Sequence, residues 1–407
     1  MVVDLVKVLV VLILVLVLLS RKLNLGAVMV LAGALLGVLF GFGPGRIATV
    51  AFRSVTSQST FNILAAMVFV VFLEALMDHG RMLERVISSL GVLVRDRRIT
   101  MAVLPAFIGL LPSAGGALIS CPMVEGTSRD MELSPERKAV ANFWFRHIME
   151  YAVPVYPAMF LASEILGVPV RTLMLAMLPL AVISSVVIIP TVYRGVPRSA
   201  ALQPRTDGVS TGTALAGLLV GVSPVLFALF FVVGLGWHMS AGSAIACAVL
   251  LPVVRPSWAD LRRMIAKALS PRIGLLVLGI MFFKDMLAAT SAVDGITSFL
   301  LASGAPTLLI VIVLPILIGF LTGLSSAFVG VAFPIIAGLV GAGGGPDIRL
   351  AAVAYVSGIA GMKFTPMHLC LVLTVEYFKA DFARVVRMML CPEALIVTAS
   401  VLLYITL

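Results

Sequence analysis

Residues 104–126 read LPAFIGLLPSAGGALISCPMVEG. The run is apolar enough for a membrane interior, yet Pro112, Ser113, Gly115 and Gly116 interrupt its middle. The helical pieces on either side, residues 100–111 and 114–125, have about a dozen residues each. At 1.5 Å per residue each reaches only ~18 Å, short of a ~30 Å hydrocarbon core. Two short helices around a Gly/Pro/Ser tip predict a re-entrant hairpin. Non-helical backbone at membrane depth is stable only inside protein or beside a water-filled cavity. The stretch therefore reads as the lining of a site.

Composition agrees. Of 407 residues, 61% are hydrophobic and 12% charged, with a mean hydropathy of +1.16. Soluble domains carry about 25% charge. An all-α polytopic membrane protein embedded in a lipid bilayer is expected. The net charge of +10 reads as basic cytoplasmic loops rather than a nucleic-acid surface, because no basic run is interleaved with aromatics. Cys121, Cys247, Cys370 and Cys391 stand singly in apolar segments. Their spacing indicates neither a disulfide framework nor a metal site, and no cofactor is expected. The first apolar segment, residues 5–19, is followed by Arg21 and Lys22 and by no small-residue cleavage site, so it reads as a retained span.

Apolar runs separated by breakers give spans near 5–20, 23–41 and 60–78, the hairpin 100–125, a broken span 137–166, and a span 171–193. A Pro/Arg-rich linker, 194–211, follows. Then come 212–236, 238–254 and 272–289, a second hairpin at 306–340, a broken span at 347–378, and 387–406. Arg81–Leu93 and Trp258–Leu269 read as amphipathic helices on the membrane surface.

The halves match at an offset of 212 residues, pairing Pro122 with Pro334, Pro154 with Pro366, Glu164 with Glu376 and Ser113 with Ser325. Before the first tip the offset is 210, pairing Leu104-Pro105 with Leu314-Pro315 and Gly109 with Gly319. Two repeats follow, 1–193 and 212–407. Each has five spans plus a hairpin that returns to its own side. An odd number of crossings makes the second repeat inverted.

Charge supports that topology. With both termini outside the inner (plasma) membrane, only Lys7, Arg46, Arg53, Arg171 and Arg349 face outward. Arg146, Lys284 and Lys363 sit at membrane depth, and every other Lys and Arg lies inside. The first hairpin then enters from inside and the second from outside.

Two hairpins and two broken helices place helix ends near the midplane, where freed N–H groups attract anions and freed carbonyls suit cations. The tips offer Ser113, Gly115 and Gly116 on one side and Thr322, Ser325 and Ser326 on the other. The first break carries Arg146, His147 and Glu150; the second carries Lys363, Thr365 and His368. Charges at membrane depth mark a substrate or ion path. Arg146 and Lys363 suit a carboxylate, with Ser113, Gly115, Gly116, Ser325, Ser326 and Thr365 as further substrate contacts. His147, Glu150, Thr322 and His368 suit a coupling ion, Na⁺ or H⁺. A competing structural reading pairs Arg146 with Glu150, which share a helix face, and lets Lys363 snorkel. Glu164, Glu376, Glu74 and the Lys284-Asp285 pair read as interfacial or scaffold charges.

This layout resembles the ion transporter superfamily, whose members include divalent anion:sodium symporters, citrate and gluconate permeases, and arsenite and Na⁺/H⁺ transport proteins. LPSAGG in the first hairpin and FRHIMEY in the following helix most resemble its DUF401 branch. The resemblance implies an elevator mechanism. The first three spans of each half would form a dimeric scaffold, and the remainder would form a moving transport unit. In the dicarboxylate branch, Ser-Asn-Thr at each tip helps hold carboxylate and sodium. Here the matching places read Pro112-Ser113-Ala114 and Leu324-Ser325-Ser326, so that Asn is absent from both.

The expected function is secondary transport of a small organic anion, coupled to Na⁺ or H⁺, by a homodimer without enzymatic activity. A cation antiporter of the Na⁺/H⁺ type is the alternative. An intramembrane serine protease built on Ser325 and His368 is a remote one. The duplication already accounts for Ser325 through Ser113, and Tyr156 occupies the place of His368 in the first repeat.

Overall fold

Helix boundaries follow local chemistry. Ser134 caps the helix that starts at Pro135, its hydroxyl accepting from the Arg137 N–H at 3.3 Å. Asp347 caps the equivalent helix, accepting from Arg349 and Leu350 N–H groups at 2.9 and 3.2 Å. These side chains satisfy donors that have no partner in a first helical turn. Pro157 opens a helix at its first position, where its missing N–H costs nothing. Gly323, at φ +65°, ends another in the left-handed conformation that glycine adopts without strain.

The computed structural model describes residues 2–94, 96–110, 116–129, 131–154, 156–196, 210–302, 304 and 306–406. The Pro112–Gly115 part of the first tip and most of the linker expected at 194–211 lie outside these. The first half holds α1 (Val2–Ser20), α2 (Leu25–Leu39), α3 (Pro44–Val55), α4 (Gln58–His79), α5 (Met82–Leu93), α6 (Arg97–Gly109), α7 (Gly116–Thr127), α8 (Pro135–His147), α9 (Pro157–Leu166), α10 (Val170–Val187) and α11 (Ile189–Tyr193). The second holds α12 (Thr211–Leu229), α13 (Met239–Val254), α14 (Trp258–Ala268), α15 (Pro271–Ala289), α16 (Ala292–Ala302), α17 (Thr307–Thr322), α18 (Ser325–Val340), α19 (Ile348–Lys363), α20 (Leu369–Phe378) and α21 (Phe382–Thr406).

Among the described residues, six helical segments are long and apolar enough to cross a membrane, and shorter apolar helices of 10–17 residues lie between them. The shorter ones include α2, α9, α13, α17, α18 and α20. The chain is an all-α polytopic membrane protein. Two elements escaped the apolar-run reading. Helix α3 occupies a stretch expected as an outside loop, and α16 follows the third span of the second half. Helix α3 is amphipathic: Arg46 and Arg53 recur seven residues apart, and Arg46 lies over the Phe42 ring at 3.6 Å.

Element order reads twice, from α1 to α10 and again from α12 to α21. The contacts recur with it. Helix α2 packs on α15 and α13 on α4; α6 packs on α8 and α17 on α19; α9 packs on α18 and α20 on α7. Two glycines show how close the recurrence is. A Cβ on Gly109 would collide with the Arg146 carbonyl, and one on Gly319 would collide with the carbonyl of Gly358, the residue 212 positions on from Arg146. In both places a hairpin arm meets the following helix backbone to backbone.

The core is densest where the hairpins meet the broken helices. Helix α19 is buried from Leu350 to Lys363, and α8 from Ala139 to His147. The first break is a 3₁₀ turn, Ile148–Tyr151, followed by Pro154 and then α9. The second runs from Phe364 to His368 around Pro366.

Candidate functional site

Helices α7, α9, α18 and α20 all begin around the two breaks. Their N-terminal ends bring unpaired N–H groups and partial positive charge to one region. Arg146, at the end of α8, is 5% exposed. Its guanidinium lies against the first residue of α7, where a Cβ on Gly116 would strike it. It also reaches the start of α20, with Nη1 donating to Cys370 Sγ at 2.9 Å. Arg146 thus touches the first hairpin and the second broken helix together.

Glu150 sits one turn further on, also 5% exposed. The 3₁₀ turn brings its carboxyl near Ser325 of the second hairpin, with Arg146 and Lys363 also close enough to act on it. Its Oε2 has no hydrogen-bond partner among the described residues. That turn interrupts the expected helical spacing between Arg146 and Glu150, while the Arg146 charge still acts on the Glu150 carboxyl. Ser326 follows Ser325 in the first turn of α18 and is half-buried.

His147 and His368 meet across the breaks. Their Nε2 atoms are 3.0 Å apart. His147 Nδ1 lies 2.6 Å from the Phe143 carbonyl, and His368 Nδ1 lies 2.7 Å from the Gly323 carbonyl at the second hairpin tip. Tyr156, the counterpart of His368 in the first half, donates to the carbonyl of Gly109 in the first hairpin. The atoms that His368 Nδ1 and Nε2 face at hydrogen-bond distance are the Gly323 carbonyl and His147 Nε2, and neither is the Ser325 hydroxyl. No Ser325–His368 dyad forms in this arrangement.

Lys363 is placed differently from the sequence expectation. It is fully buried, and its ammonium donates to Glu393 Oε2 at 2.9 Å and to the Tyr151 hydroxyl at 2.8 Å. Tyr151 donates in turn to Glu393 Oε1 at 2.6 Å. The Trp144 ring covers the ammonium at 4.0 Å, with its own indole N–H bound to the Ser184 carbonyl at 3.0 Å. A charge this deep is tolerated only when paired and hydrogen-bonded, and Glu393 and Tyr151 meet that condition. Lys363 therefore faces inward to a fixed carboxylate instead of snorkelling. The Thr365 hydroxyl accepts from Met367 N–H at 3.1 Å and shapes the break. The Thr322 hydroxyl donates to the Ile318 carbonyl at 2.7 Å and shapes the tip.

The structure thus brings Gly116, Arg146, His147, Glu150, Ser325 and His368 around one junction, with Lys363 held beside it. Ser113 and Gly115 lie outside the described residues. Sequence reading passed over Glu393, Tyr151, Trp144 and Cys370. Glu393 carried a usable signal, being an acidic residue inside the last apolar run. Cys370 carried only its nearness to His368, because the third member of that group, His147, is distant in sequence. His147, His368 and Cys370 place three metal-ligating atoms within 4.8 Å of one another.

Residues 3–407 match the family model described as "Protein of unknown function (DUF401)". The chain belongs to the DUF401 family. Among solved structures, this DUF401 chain is similar to the YdaH transporter of Alcanivorax borkumensis, whose crystal structure is described as having an unusual topology. The TM-score is 0.62 at 16% identity, with 93% of this chain and 96% of that chain covered. At that identity the likeness concerns the fold. Comparison with curated proteins gave no match.

Proposed function

We propose that this DUF401 protein is a secondary transporter of a small organic anion, coupled to Na⁺ or H⁺ and working by an elevator movement. The observation that carries this reading is Arg146, a guanidinium buried at membrane depth between Gly116 of one hairpin and Cys370 of the opposite broken helix. Four helix N-termini surround it, so the junction is electropositive and lined by N–H donors suited to a carboxylate. Ser113, Gly115, Gly116, Ser325 and Ser326 complete the anion site from the two tips. The YdaH likeness supports transport as the general class.

Glu150 serves as the main coupling group. A buried carboxyl near Ser325, with Oε2 lacking a hydrogen-bond partner among the described residues, can take up a cation. Thr322, His147 and His368 are its neighbours in the coupling region. The hairpins and last two spans of each half move as the transport unit. The first three spans of each half remain as the scaffold of a homodimer in the plasma membrane, with both termini outside. A cation antiporter is the second reading, favoured by the same Glu150 carboxyl.

The test is uptake into proteoliposomes. Organic acids are first screened for a rise in melting temperature, since a ligand that binds the folded form stabilises it by mass action. Labelled hits are then followed with and without Na⁺ and pH gradients. Saturable, gradient-dependent uptake that Arg146→Ala abolishes supports the proposal. Gradient-driven Na⁺ or H⁺ flux without any organic solute supports the antiporter instead.

A further inference from the structure

We propose that His147, His368 and Cys370 form a binding site for a zinc-type transition-metal ion, one that takes imidazole and thiolate ligands together. A backbone carbonyl only accepts, so the imidazole nitrogens facing Phe143 O at 2.6 Å and Gly323 O at 2.7 Å both carry their protons on Nδ1. Neutral rings then have bare Nε2 atoms, and these face each other at 3.0 Å. Two lone pairs at that distance repel unless a cation lies between them.

A proton would bridge the nitrogens, but it would give the third group no part. Cys370 Sγ completes a set of three ligand atoms within 4.8 Å. Its sulfur accepts an N–H from Arg146 Nη1 at 2.9 Å, an arrangement that suits a thiolate. Each histidine also has the outer hydrogen bond that metal-ligating imidazoles use to hold tautomer and ring orientation. Imidazole and thiolate together select zinc or copper over magnesium, calcium or manganese. Tetrahedral zinc, with Zn–N bonds of about 2.0–2.1 Å and a Zn–S bond of about 2.3 Å, needs the nitrogens roughly 0.3 Å further apart and the sulfur drawn in from the present 4.8 Å spread to about 3.5 Å from them, a rotation of the Cys370 side chain together with a small ring movement.

The Cys370 thiolate supplies the negative charge that a dication needs among these positive groups. Lys363 is balanced by Glu393 at 2.9 Å, and Arg146 donates to the sulfur, the ligand that carries the negative charge of the site. The ligands join the end of α8 to the start of α20, and His368 is itself tied to the second hairpin tip. A bound ion would therefore fasten the two breaks together. This site stands independently of the transport reading, because metal binding needs no substrate.

Cobalt is the probe. The full-length protein, purified in detergent and stripped with chelator, is titrated with Co²⁺ alone. Binding of one ion per chain is expected, with a sulfur-to-cobalt charge-transfer band and tetrahedral ligand-field bands that Zn²⁺ displaces. Cys370→Ser should remove the charge-transfer band, and His368→Gln and His147→Gln should weaken binding by more than tenfold. Cys391→Ser, an exposed cysteine elsewhere, should change nothing. Zn²⁺ should raise the melting temperature of wild type and of Cys391→Ser, and leave that of Cys370→Ser nearly unmoved. If a histidine variant does not fold, wild type and the half-buried Cys370→Ser decide the matter. Absence of stoichiometric cobalt binding in wild type, the result expected of a proton-sharing pair, overturns the proposal. So does a charge-transfer band that survives Cys370→Ser.

Discussion

Lys363 and Glu393 form an ion pair 2.9 Å long whose side chains are 0% and 1% exposed. Tyr151 bonds to both partners and Trp144 caps the ammonium. Breaking such a pair from one side leaves an uncompensated buried charge, at a cost of about 3–5 kcal/mol. Glu393→Gln and Lys363→Met should each lower the melting temperature sharply in detergent. The double variant Lys363→Met/Glu393→Leu should recover most of the loss, because apolar replacements remove both desolvation penalties. A double variant as unstable as the singles would show that the pair holds the fold by more than charge.

The two hairpins should respond alike to the same substitution. Gly109→Ala and Gly319→Ala each push a methyl group into a backbone carbonyl, of Arg146 and Gly358 respectively. Backbone cannot step aside as a side-chain tip can, so each should destabilise by at least about 1–3 kcal/mol. Gly91→Ala, where a Cβ meets open space, is the control and should be near neutral. Thermal melts of the three variants check this.

Much of this architecture is legible before any coordinates, and the reasons are local. Pro154, Pro157 and Pro366 mark the two breaks because proline removes a helical N–H and restricts the residue before it. Gly323 marks the second tip because it ends α17 with positive φ. Helix α3 is not legible to an apolar-run reading, since only one of its faces is apolar and its length falls short of a span. The partner of Lys363 is hidden for a different reason. Glu393 is 30 residues away on α21, and the two meet only when that helix packs on α19. The His147–His368 contact joins residues 221 apart, so neither periodicity nor motif spacing could reveal it.

Gly116 separates binding from stability. A methyl group there meets the Arg146 guanidinium, the far end of a flexible side chain. Gly116→Ala should therefore shift the melting temperature little while displacing Arg146 and reducing anion uptake at least about tenfold, the effect of ~1.4 kcal/mol. Arg146→Lys should impair uptake as well, because an ammonium cannot reproduce the planar fork of a guanidinium. Kinetics of uptake, measured beside thermal melts, check both.

Glu150 tests coupling. Glu150→Gln keeps size and polarity but removes the ionisable carboxyl that faces Ser325. Exchange of labelled anion across the proteoliposome membrane should persist, and accumulation driven by a Na⁺ or H⁺ gradient should be lost. Accumulation at the wild-type level in Glu150→Gln would assign the coupling ion to another group.

The most direct measurement of the central claim is initial-rate uptake of a thermal-shift-selected organic acid into proteoliposomes, comparing wild type with Arg146→Ala under an imposed ion gradient. Saturable uptake by wild type, lost in a folded Arg146→Ala, is the predicted result. Equal uptake by the two proteins, or gradient-driven cation flux with no anion movement in wild type, would contradict it.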